Sequence, residues 1–343
     1  MATRKLLRVL ITSFFFYPSQ GGMEISALHL ASQLHKEGHE VKVVTDTCNQ
    51  EVDVLPFKVA RRPTMLDLFN LGKWAEVHIH NHISLRYAIP LALFGPPQVF
   101  RIAGWIEPDN KFSTFAGKLK RWLLSRHHCI ANGVEVYDEL RARSKILVPP
   151  PYDPDIYFLA NRGCRVRDFT FVGRLTNEKG VDLLLQAMAI VRGEVADVNL
   201  TILGDGPERR SLEILAEQLG LSECVQFVGS APPDQVSKLL NETKVMVAPS
   251  FIIEPFGIVA LEGLASGCEV VVPDRGGFSH ALGRFGTKFE HRDLRSLCGA
   301  MLKALERSGQ NIALYSEVKE HLANYEPFST TRQILDFSLS NTR

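Results

Sequence analysis

The chain has 343 residues, above the size at which one hydrophobic core usually keeps growing, so two domains are expected. Hydrophobic residues make up 45% and charged residues 22%, the balance of an ordinary globular enzyme. The formal net charge is +1, which argues neither for nucleic acid as a partner nor for bulk electrostatic membrane binding.

The predicted elements alternate strand, turn, helix. MATRKLLRVLITSFFFYPS superficially mimics a signal peptide, but its β-branched and aromatic residues, with no small-residue cleavage site after them, read as a first buried strand. That strand is placed at Arg8–Phe14, followed by a loop with Gly21 and Gly22. A helix over Glu24–Lys36 has Ala27, Leu30, Ala31 and Leu34 at helical spacing and Gly38 just past its end. Further strands are expected at Val41–Thr45, Val77–His80, Val99–Ile102, His128–Ala131 and Lys145–Val148. The four prolines of Val148–Asp155 break regular structure and open an interdomain connection. Beyond it come strands at Asp168–Val172, Val198–Leu203, Val225–Val228, Val245–Ala248 and Val270–Val272. Helices are expected over Val181–Val191, from near Pro207 to Gly220, and from Gly257. This grammar predicts parallel α/β sheets in two doubly wound domains facing a cleft, with ligands beyond the carboxyl ends of the strands. The six cysteines, Cys48, Cys129, Cys164, Cys224, Cys268 and Cys298, form no C-x-x-C pair and fit a reducing, cytoplasmic compartment. No run approaches the roughly 20 apolar residues of a spanning helix.

Four stretches carry chemistry. In FVGRLTNEKG, a strand ends at Gly173-Arg174, and Lys179-Gly180 opens a helix. Arg and Lys beside a helix N-terminus suit phosphate oxygens, while the bland alternative is a βα turn with two surface cations. LGDGPE, Leu203–Glu208, has Arg209 where a dinucleotide fingerprint needs its third glycine and reads first as a structural tight turn. In PSFIIEPFGIVALEGLASGC, two carboxylates, Glu254 and Glu262, stand in an otherwise core-like run. An isolated buried carboxylate is costly, so these face either solvent or a ligand. The amides of Phe256, Gly257 and Ile258 at the helix start would add donors. Two acceptors beside a row of donors suit a polyhydroxylated, phosphorylated ligand. The alternative is that Glu254 complements the helix dipole and Glu262 is solvated. The N-terminal PSQGGME permits close backbone approach to a ligand, or is a plain flexible connection.

In this order the four stretches resemble the retaining nucleotide-sugar glycosyltransferases of the GT-B fold, most of all family 4. The most specific piece is EPFGIVALE, Glu254 to Glu262, joined to FVGRLTNEKG. The resemblance covers nearly the whole chain and implies an α/β GT-B fold. Its parts would be an acceptor-binding Rossmann-like domain over residues 1–152, a donor-binding one over 165–325, and a helix over 326–343 crossing back. By position, Arg174 and Lys179, after Gly173, would neutralise the donor diphosphate, and Gly21 and Gly22 would approach it from the first domain. Glu254 would contact the transferred sugar beside the amides of Phe256, Gly257 and Ile258. Glu262 would accept from the ribose, and Val228 and Gly229 would lie near the base. The implied reaction is front-face transfer of a hexose with retention to a hydroxyl of a glycan or glycolipid, in cell-surface polysaccharide or lipopolysaccharide synthesis. It uses no cofactor beyond the nucleotide-sugar donor and no metal, and no convincing D-x-D stands in the sequence.

Two departures qualify the resemblance. Ala103 occupies the position of a family histidine, and His280 follows the late Gly-Gly where an acid is usual. His80 or His82, in VHIHNH, could face the cleft instead. Alternatives are an inactive sugar-nucleotide-binding subunit, an epimerase or a phosphorylase of the same fold, and an NAD-dependent oxidoreductase, which the incomplete glycine fingerprint disfavours. Lys111–Arg126 is basic without an acid, with Phe115, Leu119, Trp122 and Leu123 as an apolar side. It could rest on the inner face of a membrane or receive an anionic acceptor, or it could be a solvated helix packed on its domain.

Overall fold

The computed structural model describes residues 5–19, 22–48, 55–104, 115–160, 163 and 165–341. They form two compact units, one of Met1–Pro151 with Pro327–Arg343, the other of Tyr152–Glu326. Gly21, Cys164 and residues 111–114 lie outside the described residues.

In the first unit the strands are β1 (Arg8–Ser13), β2 (Glu40–Thr45), β3 (Lys58–Arg61), β4 (Val77–Asn81), β5 (Gln98–Ile102), β6 (His128–Ala131) and β7 (Ser144–Leu147). They make one parallel sheet in the order β3-β2-β1-β4-β5-β6-β7. The direction of winding therefore reverses between β1 and β4, the place where open α/β sheets leave a crevice. β4 and β5 are buried along their whole length, as strands covered on both faces must be. The helices are α1 (Gly22–Lys36), α2 (Met65–Trp74), α3 (Leu85–Phe94), α4 (Phe115–Arg126) and α5 (Val134–Glu139). α1 buries Ala27, Leu30, Ala31 and Leu34, its helical stripe, in the core with Val9, Ile11 and Ile79 of the sheet. α2 opens with a reciprocal cap: Thr64 Oγ1 accepts from the Asp67 amide, and Asp67 Oδ2 accepts from the Thr64 amide at 2.9 Å.

The second unit repeats the plan with β8 (Arg167–Val172), β9 (Leu200–Leu203), β10 (Val225–Gly229), β11 (Thr243–Val247), β12 (Glu269–Pro273) and β13 (Thr287–Phe289). The order is β10-β9-β8-β11-β12-β13, again all parallel, and the winding reverses between β8 and β11. Its helices are α6 (Val181–Glu194), α7 (Arg209–Gln218), α8 (Pro233–Asn241), α9 (Ile258–Ala265), α10 (Gly277–Leu282), α11 (Leu294–Glu306), α12 (Gln310–Ala313) and α13 (Tyr315–Leu322). Buried Arg165 donates to Leu240 O at 3.0 Å and Ser266 O at 2.7 Å, satisfying carbonyls at the carboxyl ends of α8 and α9. A last helix, α14 (Pro327–Ser340), belongs to the first unit, where Ile334 and Leu335 join the core of α1, β1 and β4.

Candidate functional site

The two loops that flank the β8/β11 reversal carry the chemistry of the second unit. After β8, Gly173 and Arg174 lead to a single 3-10 turn, Asn177–Lys179, and Gly180 then starts α6. Gly180 has φ 65°, and a Cβ there would stand 2.3 Å from Pro249 O, in the loop after β11. Only glycine lets the two loops meet this closely. Phe251 N donates to Glu178 O at 2.7 Å, which locks the contact.

Across that contact Lys179 Nζ donates to Glu254 Oε1 in an ion pair. Ser250 Oγ, almost fully buried, donates to the same oxygen at 2.9 Å. Glu254 is 13% exposed and Lys179 29%. The pair is thus a half-desolvated charge couple at the mouth of the crevice, and it answers why a carboxylate stands in an apolar run. Just past it, Gly257 has φ 84° at the N-cap of α9, where a Cβ would clash at 2.2 Å with the Phe278 ring. This left-handed residue turns the chain so that the amides of Phe256, Gly257 and Ile258 donate to no group among the described residues. Free donors at the helix start present partial positive charge to a ligand.

Glu262 lies one turn along α9. Burial, with Asp153 adding like charge, pushes its carboxyl up to about 7. Its surroundings include Tyr157, whose phenol burial and Glu262 together push upward. Arg174 is exposed, and its side chain makes no hydrogen bond or ion pair among the described residues. It lines an open cleft of about 390 Å³ with Gly173, Gly204, Asp205, Ser230 and Ala231. Gly204 N donates to Gly229 O at 2.9 Å, and Val228 is 41% exposed, so Gly229 stands at the rim of this cleft. The Gly204–Gly206 turn has a structural cause: a Cβ at Gly206 would lie 2.2 Å from Leu175 O, and Asp205 pairs with Arg209 at 3.2 Å.

The structure thus gathers Gly173, Arg174, Lys179, Glu254, Phe256, Gly257, Ile258 and Glu262 on the carboxyl-end loops and first helical turns of one sheet. Gly22, the first residue of α1, belongs to the other unit. The histidine alternatives come out differently. His80 is fully buried, its Nδ1 2.6 Å from Thr12 Oγ1 and its ring stacked on Phe100 at 4.4 Å, so it is a core residue. His82 is half-buried with φ 72°, and burial pulls its pKa down. His280 is exposed, its ring 6.4 Å from that of Phe256. Sequence reasoning missed Ser250, Asp153 and Tyr157. Ser250 lies four residues before Glu254, but nothing in its identity marks it as a support. α4 is two-sided: Leu123 and Leu124 are buried, while Phe115 is 83% and Trp122 50% exposed, with Arg126 stacked on the Trp122 ring at 4.6 Å. No helix among the described residues is long and apolar enough to cross a membrane.

The family model described as "Glycosyl transferases group 1" matches residues 165–315, and "Glycosyltransferase Family 4" matches residues 20–155. A D-inositol 3-phosphate glycosyltransferase of Corynebacterium urealyticum is 34% identical over 175 residues, 48% of this chain and 41% of that one. The chain therefore matches less than half the length of that relative. The gpi3 subunit of the phosphatidylinositol N-acetylglucosaminyltransferase of Schizosaccharomyces pombe is 24% identical over 364 residues, 95% of this chain and 80% of that one. Among solved structures, a glycosyltransferase from Rickettsia africae superposes with a TM-score of 0.80 at 14% identity, covering 98% of this chain and 99% of that one. The HepE protein of Anabaena, in complex with UDP and glucose, gives 0.77 at 16% identity over 97% and 100%. These likenesses show the fold, GT-B, with its two Rossmann-like domains. With one family model on each unit and this fold in both, the chain belongs to the group 1, or family 4, glycosyltransferases.

Proposed function

We propose that this glycosyltransferase moves a hexose, with retention, from a nucleotide-diphosphate sugar to a hydroxyl of a glycan or glycolipid in cell-surface polysaccharide or lipopolysaccharide synthesis. The observation that carries the reading is the Lys179–Glu254 couple beside three free amides at the β8/β11 reversal. A diphosphate can take Lys179, Arg174 and the amides, while sugar hydroxyls take Glu254. Glu262 then accepts from the ribose, the base lies by Val228 and Gly229, and Gly22 receives phosphate oxygens in the first unit. Catalysis rests on positioning and on stabilising charge as it develops on the leaving diphosphate, which itself takes the acceptor proton. With two cations in that role, turnover needs no divalent ion. The exposed Phe115 and Trp122, among Lys118, Arg121 and Arg126, support peripheral contact of α4 with an anionic cytoplasmic membrane face.

The test is a thermal-shift panel of UDP, GDP, ADP, CMP and dTDP and their sugars, with Glu262→Ala as control, since a ligand of the folded state raises stability. A shift with one nucleotide, lost in the variant, is expected. Turnover of the matching sugar unchanged by EDTA, with an anomeric proton coupling that reports the donor's configuration, completes the reading. Inversion or metal dependence overturns the corresponding part. Flotation with phosphatidylserine vesicles, reduced by Trp122→Ser, tests the membrane contact.

A further inference from the structure

The first unit holds a buried cation that none of the roles above uses. Arg101, on β5, is 1% exposed. Its Nη1 donates to Asn81 Oδ1 at 3.1 Å and its Nη2 to Ser26 Oγ at 2.8 Å. Asn81 Nδ2 in turn donates to Met23 O at 2.9 Å and Ser13 Oγ at 3.2 Å. The Nε has no acceptor, and no carboxylate pairs with the guanidinium among the described residues; Glu24, in the first turn of α1, does not reach it. Burial alone pulls the guanidinium down to about 10, still charged at neutral pH.

The placement is specific. Ser13 ends β1, Asn81 ends β4, and Met23 and Ser26 lie in the first turns of α1, so the network sits at the β1/β4 reversal of the first sheet. An uncompensated buried charge is costly. Here it lies under a helix N-terminus, whose dipole has the same sign. Both effects disfavour the empty state, and both are relieved by an anion.

We propose that Arg101 is a positioning residue for a phosphate-bearing ligand at the start of α1. It clamps the first turns of the helix through Ser26 and Asn81 and leaves there a positive charge for the ligand to neutralise. The inference rests on the glycosyltransferase reading for its choice of probes. Either the donor diphosphate or a phosphorylated acceptor supplies the required chemistry.

The experiment titrates the full chain and its Arg101→Met, Arg101→Lys and Ser26→Ala variants with UDP, GDP and ADP, with inorganic pyrophosphate, and with D-inositol 3-phosphate. The Tm of each unliganded protein is measured alongside. Arg101→Met is expected to weaken the bound phosphate compound about tenfold, since the anion loses a nearby buried charge and α1 loses its clamp. Arg101→Lys should weaken it as well, since one ammonium cannot reproduce the fork to Asn81 and Ser26 and a buried lysine readily gives up its proton. The unliganded Tm of Arg101→Met should fall by no more than a few degrees, since the two lost hydrogen bonds are offset by removal of an uncompensated buried charge; a merely structural arginine would lower Tm and leave affinity alone. A nucleotide-selective loss assigns the donor, and a loss confined to inositol phosphate assigns the acceptor. If Arg101→Met does not fold, Ser26→Ala carries the test: it removes one arm of the clamp and should weaken the phosphate compound while its unliganded Tm stays close to wild type. Wild-type binding matched by all variants overturns this inference and leaves the transferase reading standing. A wild-type chain that binds none of the probes overturns both.

Discussion

Replacing Glu262 by Gln should make the empty enzyme more stable above neutral pH while disabling its nucleotide site. The folded chain holds this carboxyl at about 7 instead of 4.5, through burial first and Asp153 second. Between those pH values the folded state binds the extra proton, so stability is lost as pH rises through that window. Fully expressed, the displacement corresponds to about 3 kcal/mol at pH 8, at about 1.4 kcal/mol per pH unit. Glu262 is only half-buried, and solvent screening reduces this to about 1–2 kcal/mol. For a unit of this size the change amounts to about 3–6 °C in Tm. Calorimetry of both proteins from pH 4.5 to 8.5 should show the difference opening with pH and vanishing near pH 4.5. Wild-type affinity for the nucleoside diphosphate should fall about tenfold for each pH unit below 7, because the protonated carboxyl accepts less well. A Glu262→Gln protein less stable than wild type at pH 8, or a difference that ignores pH, would refute the reasoning.

Lys179→Ala and Glu254→Ala should each cut turnover by about 100-fold or more in a folded protein, as loss of a charge-stabilising group does; near-normal rates in both would sink the site assignment. His78 is fully buried with neither ring nitrogen bonded, and burial pulls it to about 3. The unfolded state therefore binds more protons below the ordinary 6.5, and stability is lost as pH falls through that value. The expected loss is about 2 kcal/mol by pH 5, and it should be smaller in His78→Leu when followed by urea unfolding at each pH. Gly257→Ala, forced to a left-handed φ against the Phe278 ring, should cost about 1–3 kcal/mol and lower nucleotide affinity; a variant that melts and binds like wild type refutes the close approach.

Much of the fold was legible because strands such as β1, β4 and β5 are covered on both faces and read as apolar runs. β3, β13 and several helices, α2, α3, α5 and α11 among them, were not seen. β3 is a half-buried edge strand with Lys58 and Arg61 at its ends, so its pattern is weak, although the T-x-x-D cap at Thr64 was readable. Expected boundaries moved by a residue or two: β9 begins at Leu200 rather than Val198, and α7 at Arg209 rather than Pro207. The loops after β8 and β11 were found from their chemistry, but Lys179 and Glu254 were given separate ligands. Their direct pairing spans 75 positions and depends on β8 and β11 being neighbours, which no local pattern records. Arg101 was invisible for the opposite reason, since one charged residue inside VFRI does not disturb a strand signal.

The Lys179–Glu254 couple also bears on what the site releases. Each charge satisfies the other in the pair. On the proposed reading a bare nucleoside diphosphate would draw off only Lys179 and strand a carboxylate that is 13% exposed, with Ser250 as its remaining partner. A ligand that also brings hydroxyls to Glu254 leaves nothing stranded. On that reading the charge geometry itself would favour the intact donor over the spent one, and reclosure of the couple would help expel the product after the sugar has gone.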